Sequence, residues 1–534
     1  MSQKGILMSR LLRSGAVVGA MTMISRVLGL ARDVIFANYF LIGGAMDAFM
    51  AALRIPNLLR RLFAEGAFSL AFIPVLSEYK ETRSKEDLKR LIDHVAGTLG
   101  TILLVITIIG MLAAPWIIKV ITPGFEGNPD ARPELAAQLL RITFPYIFFI
   151  SLTAFISGIL NTFKQFAVPA FTPVLLNVVL IIAAIWFAPY FEEPVEALAW
   201  GVFGGGIAQL LFQIPALMKL GLFPRFRLKR GYEGVSRIMK LMVPALFGSS
   251  VAQINLLINT AIASLLGTGF ITWLYYSDRF VELPLALIGV AIGVVILPKL
   301  AGNHANKEKK AFSATLGWAA RLSLLAAVPA MVGLILLATP ILATVIDNGV
   351  NGWHDVQMAS WSLMTYALGL PAFILVKVLV PGFYSRQDTK TPVKIGIIAI
   401  FTNMLLNLLI VLPWYKMGYA APHAGLALAT ALAGYVNAGL LMLALKKQNI
   451  YQSQKGNVKH ILQVLLASAI MGAAIWWLTP EDSWWQQHGV MQKISMLLGL
   501  IVSSVVLYFA ALLIVGVKPK RLLMDGDKSS IIND

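Results

Sequence analysis

The sequence predicts an all-α polytopic membrane protein of about fourteen transmembrane helices, arranged as two parallel-repeat six-helix lobes plus two C-terminal helices. Three observations lead there. The chain is 58% hydrophobic and only 13% charged over 534 residues, where a soluble domain carries about 25% charged residues. Apolar runs long enough to cross a bilayer recur along nearly its whole length. Prolines and short motifs recur at one offset, the mark of an internal duplication.

A span needs about 20 apolar residues. The candidates are 14–40, 42–76, 88–121, 134–162, 166–189, 195–219, 235–266, 269–300, 311–346, 357–384, 392–414, 421–446, 459–479 and 490–516. Several exceed one bilayer thickness and must tilt or extend beyond it. The first run continues into Arg26 and Arg32 without a small-residue cleavage site, so it reads as a retained span rather than a signal peptide. The loops alternate in charge. Lys80, Arg83, Lys85, Lys89 and Arg90 fall on one side, as do Arg225, Arg227, Lys229 and Arg230, then Lys307, Lys309 and Lys310, then Arg386, Lys390 and Lys394. The intervening loops hold Glu126 and Asp130, Glu192, Glu193 and Glu196, Asp347 and Asp355, and Glu481 and Asp482. Only Arg132 and Lys416 break the pattern. The positive-inside rule then places both termini in the cytoplasm and requires an even number of spans.

The repeat is read from prolines. Leu112-Ala-Ala-Pro-Trp resembles Leu337-Ala-Thr-Pro-Ile, which matches Pro115 to Pro340. Pro74 matches Pro298, Pro145 matches Pro371 and Pro169 matches Pro392, and all four offsets lie near 224 by subtraction. An even number of spans per copy keeps the two copies in the same orientation. The expected division is an N-lobe at 1–219, a cytoplasmic linker at 220–234, a C-lobe at 235–447, two added spans at 457–517, and a basic, frayed tail at 518–534.

Net charge is +18. The basic residues are spread over many short loops, which fits positive-inside bias and excludes a nucleic-acid domain. There is no cysteine, which excludes disulfides, thiolate metal sites and Cys nucleophiles. No His/carboxylate metal cluster, Walker loop or nucleophile–base pair is evident, so a transporter is expected rather than an enzyme, with no cofactor.

The informative residues are charges within spans. A charge on a lipid-facing helix costs roughly 2.5–3.5 kcal/mol on insertion scales, so such residues normally face a bundle interior or a wet cavity. Arg26, Arg32, Asp33, Asp47, Arg54, Arg60, Arg61 and Glu65 lie in or beside the first two spans, and Asp278, Arg279 and Glu282 lie in the eighth. At about 100° per residue, Asp47, Arg54, Arg61 and Glu65 fall within about 40° of one another. Arg279 and Glu282 are spaced for an intrahelical pair. Arginines outnumber acids in the first group, which suggests an anion cavity, because the guanidinium fork binds phosphate bidentately and stays charged. Arg54 and Arg61 are better read as interfacial, as are Lys377 and Arg141. Gln253, Asn255 and Asn259 read as interhelical hydrogen bonds.

At Ser25-Arg-Val-Leu-Gly-Leu-Ala-Arg-Asp33 the chain resembles the MurJ (MviN) family of bacterial lipid II flippases. The likeness continues at Asp47-Ala-Phe and Arg54-Ile-Pro-Asn-Leu-Leu-Arg-Arg-Leu-Phe-Ala-Glu-Gly-Ala-Phe68. It returns at Tyr275-Tyr-Ser-Asp-Arg279 and at Pro381-Gly-Phe-Tyr-Ser-Arg-Gln-Asp-Thr-Lys-Thr-Pro392. The resemblance implies the multidrug/oligosaccharidyl-lipid/polysaccharide (MOP) exporter fold, with the last two helices forming a lipid-tail groove. It implies that Arg26, Arg32, Arg60 and Arg279 are cavity arginines, with Asn57 beside them in the substrate-binding set. Asp33, Asp47, Glu65, Asp278 and Glu282 are then gating or arginine-positioning residues. The sodium site of some family members uses an Asp in span 7. No carboxylate stands in that span here, so sodium dependence is not implied.

The expected function is movement of lipid II, the undecaprenyl-pyrophosphate-linked disaccharide peptide, from the inner to the outer leaflet of the bacterial inner membrane. Alternating access would carry it, assisted by membrane potential or a monovalent cation. Expected partners are lipid II, membrane lipids and the division or elongation machinery, with no nucleic acid. The alternatives are another MOP-type exporter, for an O-antigen lipid carrier or a drug, and a non-transporting scaffold of the division machinery. A drug exporter should favour carboxylates over arginines in its cavity.

Overall fold

The computed structural model describes residues 3–62, 68–229, 231–347, 349–452 and 457–517. Glu65 and the tail lie outside them. Among the described residues the structure is helical apart from turns and one isolated bridge, Asp347 to Asn351. By contact the chain divides into two compact units at Thr272/Trp273.

The first unit holds α1 (Gln3–Tyr39), α2 (Gly44–Leu62), α3 (Phe68–Thr82), α4 (Lys85–Leu112), α5 (Ala114–Ile121), α6 (Pro133–Thr143), α7 (Tyr146–Thr162), α8 (Ala167–Ile182), α9 (Val195–Lys219) and α10 (Glu233–Leu266). The seventh expected span, α10, therefore packs with this unit, on α3 and on the turn at Pro123–Phe125. The boundary falls some forty residues after the 220–234 segment where the charge pattern suggested a linker. That segment is itself docked: the backbone N–H of Arg225 donates to the buried Asp93 carboxylate at 2.8 Å, and Tyr232 stacks on His94 at 4.3 Å.

The second unit begins within α11 (Phe270–Pro284) and continues with α12 (Ala291–Ala305), α13 (Lys309–Leu336), α14 (Ala338–Val345), α15 (Trp353–Leu368), α16 (Leu370–Tyr384), α17 (Lys390–Leu406), α18 (Leu412–Lys416), α19 (Pro422–Lys447), α20 (Asn457–Leu478), α21 (Asp482–Gln487) and α22 (Val490–Ile514). Its core joins α12, α13, α16 and α19 through Ile296, Leu300, Leu316, Val378, Phe383 and Leu445. The two added spans attach here. α20 packs on α13, and Tyr508 of α22 donates to the Leu325 carbonyl at 2.6 Å.

The repeat is visible in the helix breaks. α5 and α14 are both eight-residue helices, starting 224 residues apart at Ala114 and Ala338. Pro145 and Pro371 both stand at a break, α6/α7 and α15/α16. A widened π turn follows α8 at Ala183–Phe187 and α17 at Asn407–Val411. In each case a proline, Pro189 or Pro413, follows two residues later. Proline offers no N–H to the preceding turn, which removes the regular hydrogen bond there.

Among the described residues, each of the fourteen expected spans contains helix. Among the described residues, nine helices are long and apolar enough to cross a membrane, or ten if α15 and α16, bent by 42°, count as one span. The segments outside that set include the ones that carry the charges. α2 holds Asp47, Arg54, Arg60 and Arg61 in 19 residues, and α3, α11 and α12 are 15 residues each. A broken, charged helix is tolerated at membrane depth only where protein or a wet cavity covers it. Arg132, one of the two exceptions to the charge alternation, pairs with Glu193 across the acidic loops.

Candidate functional site

Arg32 lies on α1 with 11% of its side chain exposed, and Asp33 beside it is 2% exposed. The guanidinium donates to Asp33 Oδ1 from Nε at 3.0 Å and from Nη2 at 2.5 Å. Its Nη1 donates to Asn177 Oδ1 on α8 at 3.1 Å, and Asn177 Nδ2 donates to the Ser25 carbonyl at 3.0 Å. The Phe36 ring lies 5.5 Å from the guanidinium carbon. A buried cation is tolerable only when paired and hydrogen-bonded. This one is neutralised by its neighbour in sequence and oriented by a neutral amide from another helix. Asp33 is thus the ion-pair partner of Arg32. Arg26, partly buried one and a half turns earlier, has no ion pair or hydrogen bond among the described residues.

On α2 the residues separate. Asp47, 1% exposed, turns its carboxylate to the corner between α10 and α11. It accepts from Gly269 N at 2.6 Å, Thr272 N at 2.9 Å and Thr272 Oγ1 at 2.6 Å. These are N-terminal N–H groups of α11, which a carboxylate satisfies well. Asp47 is therefore engaged as a helix cap, and among the described residues no arginine is paired with it. Two further contacts bind the same corner: Gly124 N donates to Ser264 Oγ at 3.1 Å and Asn128 Nδ2 to Thr268 Oγ1 at 3.2 Å. Arg54 leaves a buried Nε without a partner. Asn57, Arg60 and Arg61 are partly buried on the last turns of α2, where cations face the negative end of the helix dipole.

In the second unit Arg279 Nη1 donates to Glu282 Oε2 at 3.1 Å, with both side chains about one-third exposed (33% and 34%). The expected i,i+3 pair is present. At that exposure a pair stabilises little. Asp278 is partly buried beside it. Two bonds fix α11 on α15: Trp273 Nε1 to Asp355 Oδ1 at 2.9 Å and Ser277 Oγ to the Ala359 carbonyl at 2.7 Å.

The family model described as "Lipid II flippase MurJ" matches residues 36–516. The chain belongs to the MurJ family. A Vibrio cholerae relative, "Probable lipid II flippase MurJ", is 45% identical over 519 residues, covering 96% of this chain and 98% of its own. "Lipid II flippase MurJ" of Burkholderia cenocepacia is 41% identical, covering 95% and 98%. A solved structure titled "Lipid II flippase MurJ, inward closed conformation" is 28% identical with a TM-score of 0.77, over 93% of this chain and 98% of that one. An inward-facing multidrug-resistance MATE transporter of the MOP superfamily shares the fold, at 14% identity and a TM-score of 0.66, over 81% and 98%.

In this member of the MurJ family, sequence reasoning missed Asn177, the Thr272/Gly269 pair of donors and Lys493. Lys493 is 3% exposed and donates to Asp347 Oδ2 at 2.7 Å and to the Asp347 carbonyl at 3.2 Å, tying α22 to the end of α14. Asn177 and Lys493 were findable, each a polar residue inside an apolar run. Thr272 and Gly269 act through backbone groups, which every residue carries, so no residue type announces them.

Proposed function

We propose that this chain translocates lipid II from the inner to the outer leaflet of the bacterial inner membrane by alternating access. The observation that carries the reading is full-length kinship with MurJ-family flippases, 45% identity over 519 residues in one case. The buried, oriented guanidinium of Arg32 supports it. In this reading Arg26, Arg32, Arg60 and Arg279, with Asn57, receive the pyrophosphate, and Asp33 and Glu282 hold two of the arginines until it arrives. Phosphate oxygens then take the place of the carboxylates on the guanidinium fork. Asp47 acts as a gate element by capping α11. The polyprenyl tail stays in lipid beside α20 and α22, and both termini face the cytoplasm.

Membrane potential assists export. One charge crossing 100 mV is worth about 2.3 kcal/mol, so two negative charges leaving an interior-negative cell gain roughly twice that. No bond is broken, and the chain acts as a transporter and not an enzyme. The cavity residues argue against a drug exporter for cations, because arginines would repel such cargo.

The test is access of an outer-face probe to the lipid II headgroup in cells whose own flippase is depleted and replaced by this chain. Restored accessibility, lost again in Arg279→Ala at normal protein abundance, is the expected result. Arg26→Ala, Arg32→Ala and Arg279→Ala variants that fold and still complement growth would instead favour a scaffold.

A further inference from the structure

The second unit contains a cavity of about 430 Å³ that the transport reading does not use. It lies where three connections meet: the α12–α13 turn, the α16–α17 turn and the residues after α19. Its lining includes apolar Phe312, 3% exposed, and Ile450 packed on the same core. Its rim is cationic, with Lys307, Lys309 and Arg386 against the single carboxylate Glu308, and His304 alongside.

Helix ends account for part of this charge. α12, α16 and α19 all finish here, and cations suit the partial negative charge of their last carbonyls. Lys307 and Asn449 adopt left-handed conformations, at φ 59° and 53°, that close two of those ends. Arg386 is different. Its Nη2 donates to Gln448 Oε1 at 2.8 Å, a neutral acceptor that orients the guanidinium without neutralising it. The nearest carboxylate oxygen in its pairing, Asp388 Oδ2, is 4.0 Å away. Asp388 is already committed to α17, accepting from Thr391 N at 3.0 Å and Thr391 Oγ1 at 2.7 Å. The Arg386 Nε proton is buried and meets no acceptor, although buried donors are nearly always satisfied. Burial pulls the guanidinium below its ordinary pKa, with the Asp388 charge opposing that only in part.

We propose that this cavity binds a phosphate group, held by the Arg386 guanidinium with Lys307 and Lys309. An arginine fork beside an apolar lining suits a phosphate carried on an apolar or aromatic body. An anionic lipid headgroup and a soluble phosphate ester share that chemistry. The proposal is independent of the transported substrate.

The experiment uses full-length protein in a neutral detergent at about 0.15 M salt, near physiological ionic strength. Two probes are titrated in parallel: phosphatidylglycerol, with zwitterionic phosphatidylcholine as the net-neutral control, and inorganic phosphate. Any binding at the arginines of α1, α2 and α11 is common to wild type and variants, so the difference between them reads this cavity. Arg386→Gln should weaken one probe about tenfold or more, the scale of one charge-assisted hydrogen bond. Arg386→Lys should fall between, and Lys307→Gln/Lys309→Gln should weaken the same probe. Loss confined to phosphatidylglycerol identifies a lipid headgroup, and loss confined to inorganic phosphate identifies a soluble ester. Both lysine side chains are exposed, so the double variant decides the matter even if Arg386→Gln fails to fold. Affinities unchanged in the variants, or no binding of either probe to wild type, overturn the proposal.

Discussion

Asn177→Leu separates the orientation of Arg32 from its charge. The substitution removes the Arg32 Nη1 to Oδ1 bond at 3.1 Å and the Nδ2 to Ser25 carbonyl bond at 3.0 Å. A hydrogen bond from a charged donor is worth about 1.5–3 kcal/mol and a neutral one about 0.5–1.5. The length of the first bond places it near the lower end, about 1.5 kcal/mol. Leucine fills a similar volume, so the cavity contribution is small. Asp33 still neutralises the guanidinium through Nε and Nη2. What is lost is one constraint on where the fork points, and at about 1.4 kcal/mol per factor of ten the held orientation loses roughly tenfold in weight. The assay is headgroup accessibility in a depletion background, with protein abundance measured alongside. Translocation should slow about tenfold at normal abundance, and Asn177→Leu should cost nothing further once Arg32→Gln is present, because neighbours sharing one interaction are not additive. A wild-type rate in Asn177→Leu beside an inactive Arg32→Gln would refute the reasoning, as would full additivity of the two.

Asp47→Ala strips three acceptor contacts from the α10–α11 corner. The thermal midpoint of purified protein should fall by the equivalent of about 2–4 kcal/mol, with Asp47→Asn falling less. Asp347→Ala leaves the Lys493 ammonium buried without its carboxylate and should destabilise by about 3 kcal/mol. Adding Lys493→Met should recover most of that in the same melting assay. Gly124→Ala places a Cβ against the Ser264 carbonyl, well inside contact distance. Lower yield and a lower melting point are expected, where a wild-type profile would show that the loop can shift freely.

Much of the architecture was legible because the bilayer enforces it. Apolar length, loop charge and matched prolines gave the helices and the duplication, and the repeated π turns before Pro189 and Pro413 show how far the copies agree. The contact boundary at Thr272/Trp273 was not legible. Hydropathy gives where a helix lies in the chain but not which neighbours it packs against, and α10 packs on α3. In the site, the Arg279–Glu282 pair followed from helical spacing, whereas the Arg32–Asp33 pair did not, because adjacent residues on a helix point to different faces. Asp47 did not, because a carboxylate among arginines reads as their partner until the backbone N–H groups of a distant corner are placed on it. Asn177 lies 145 residues from Arg32, and only the fold brings the two together.

In the proposed function, guanidinium groups from this chain take the pyrophosphate of a lipid-linked cell-wall precursor. Purified full-length protein titrated with lipid II tests it most directly, with Arg26→Gln, Arg32→Gln and Arg279→Gln measured beside wild type. Each substitution should weaken binding about tenfold or more, while undecaprenol, which has the tail but no phosphate, should bind all four proteins equally weakly. Equal lipid II affinity across wild type and the three variants would contradict the account.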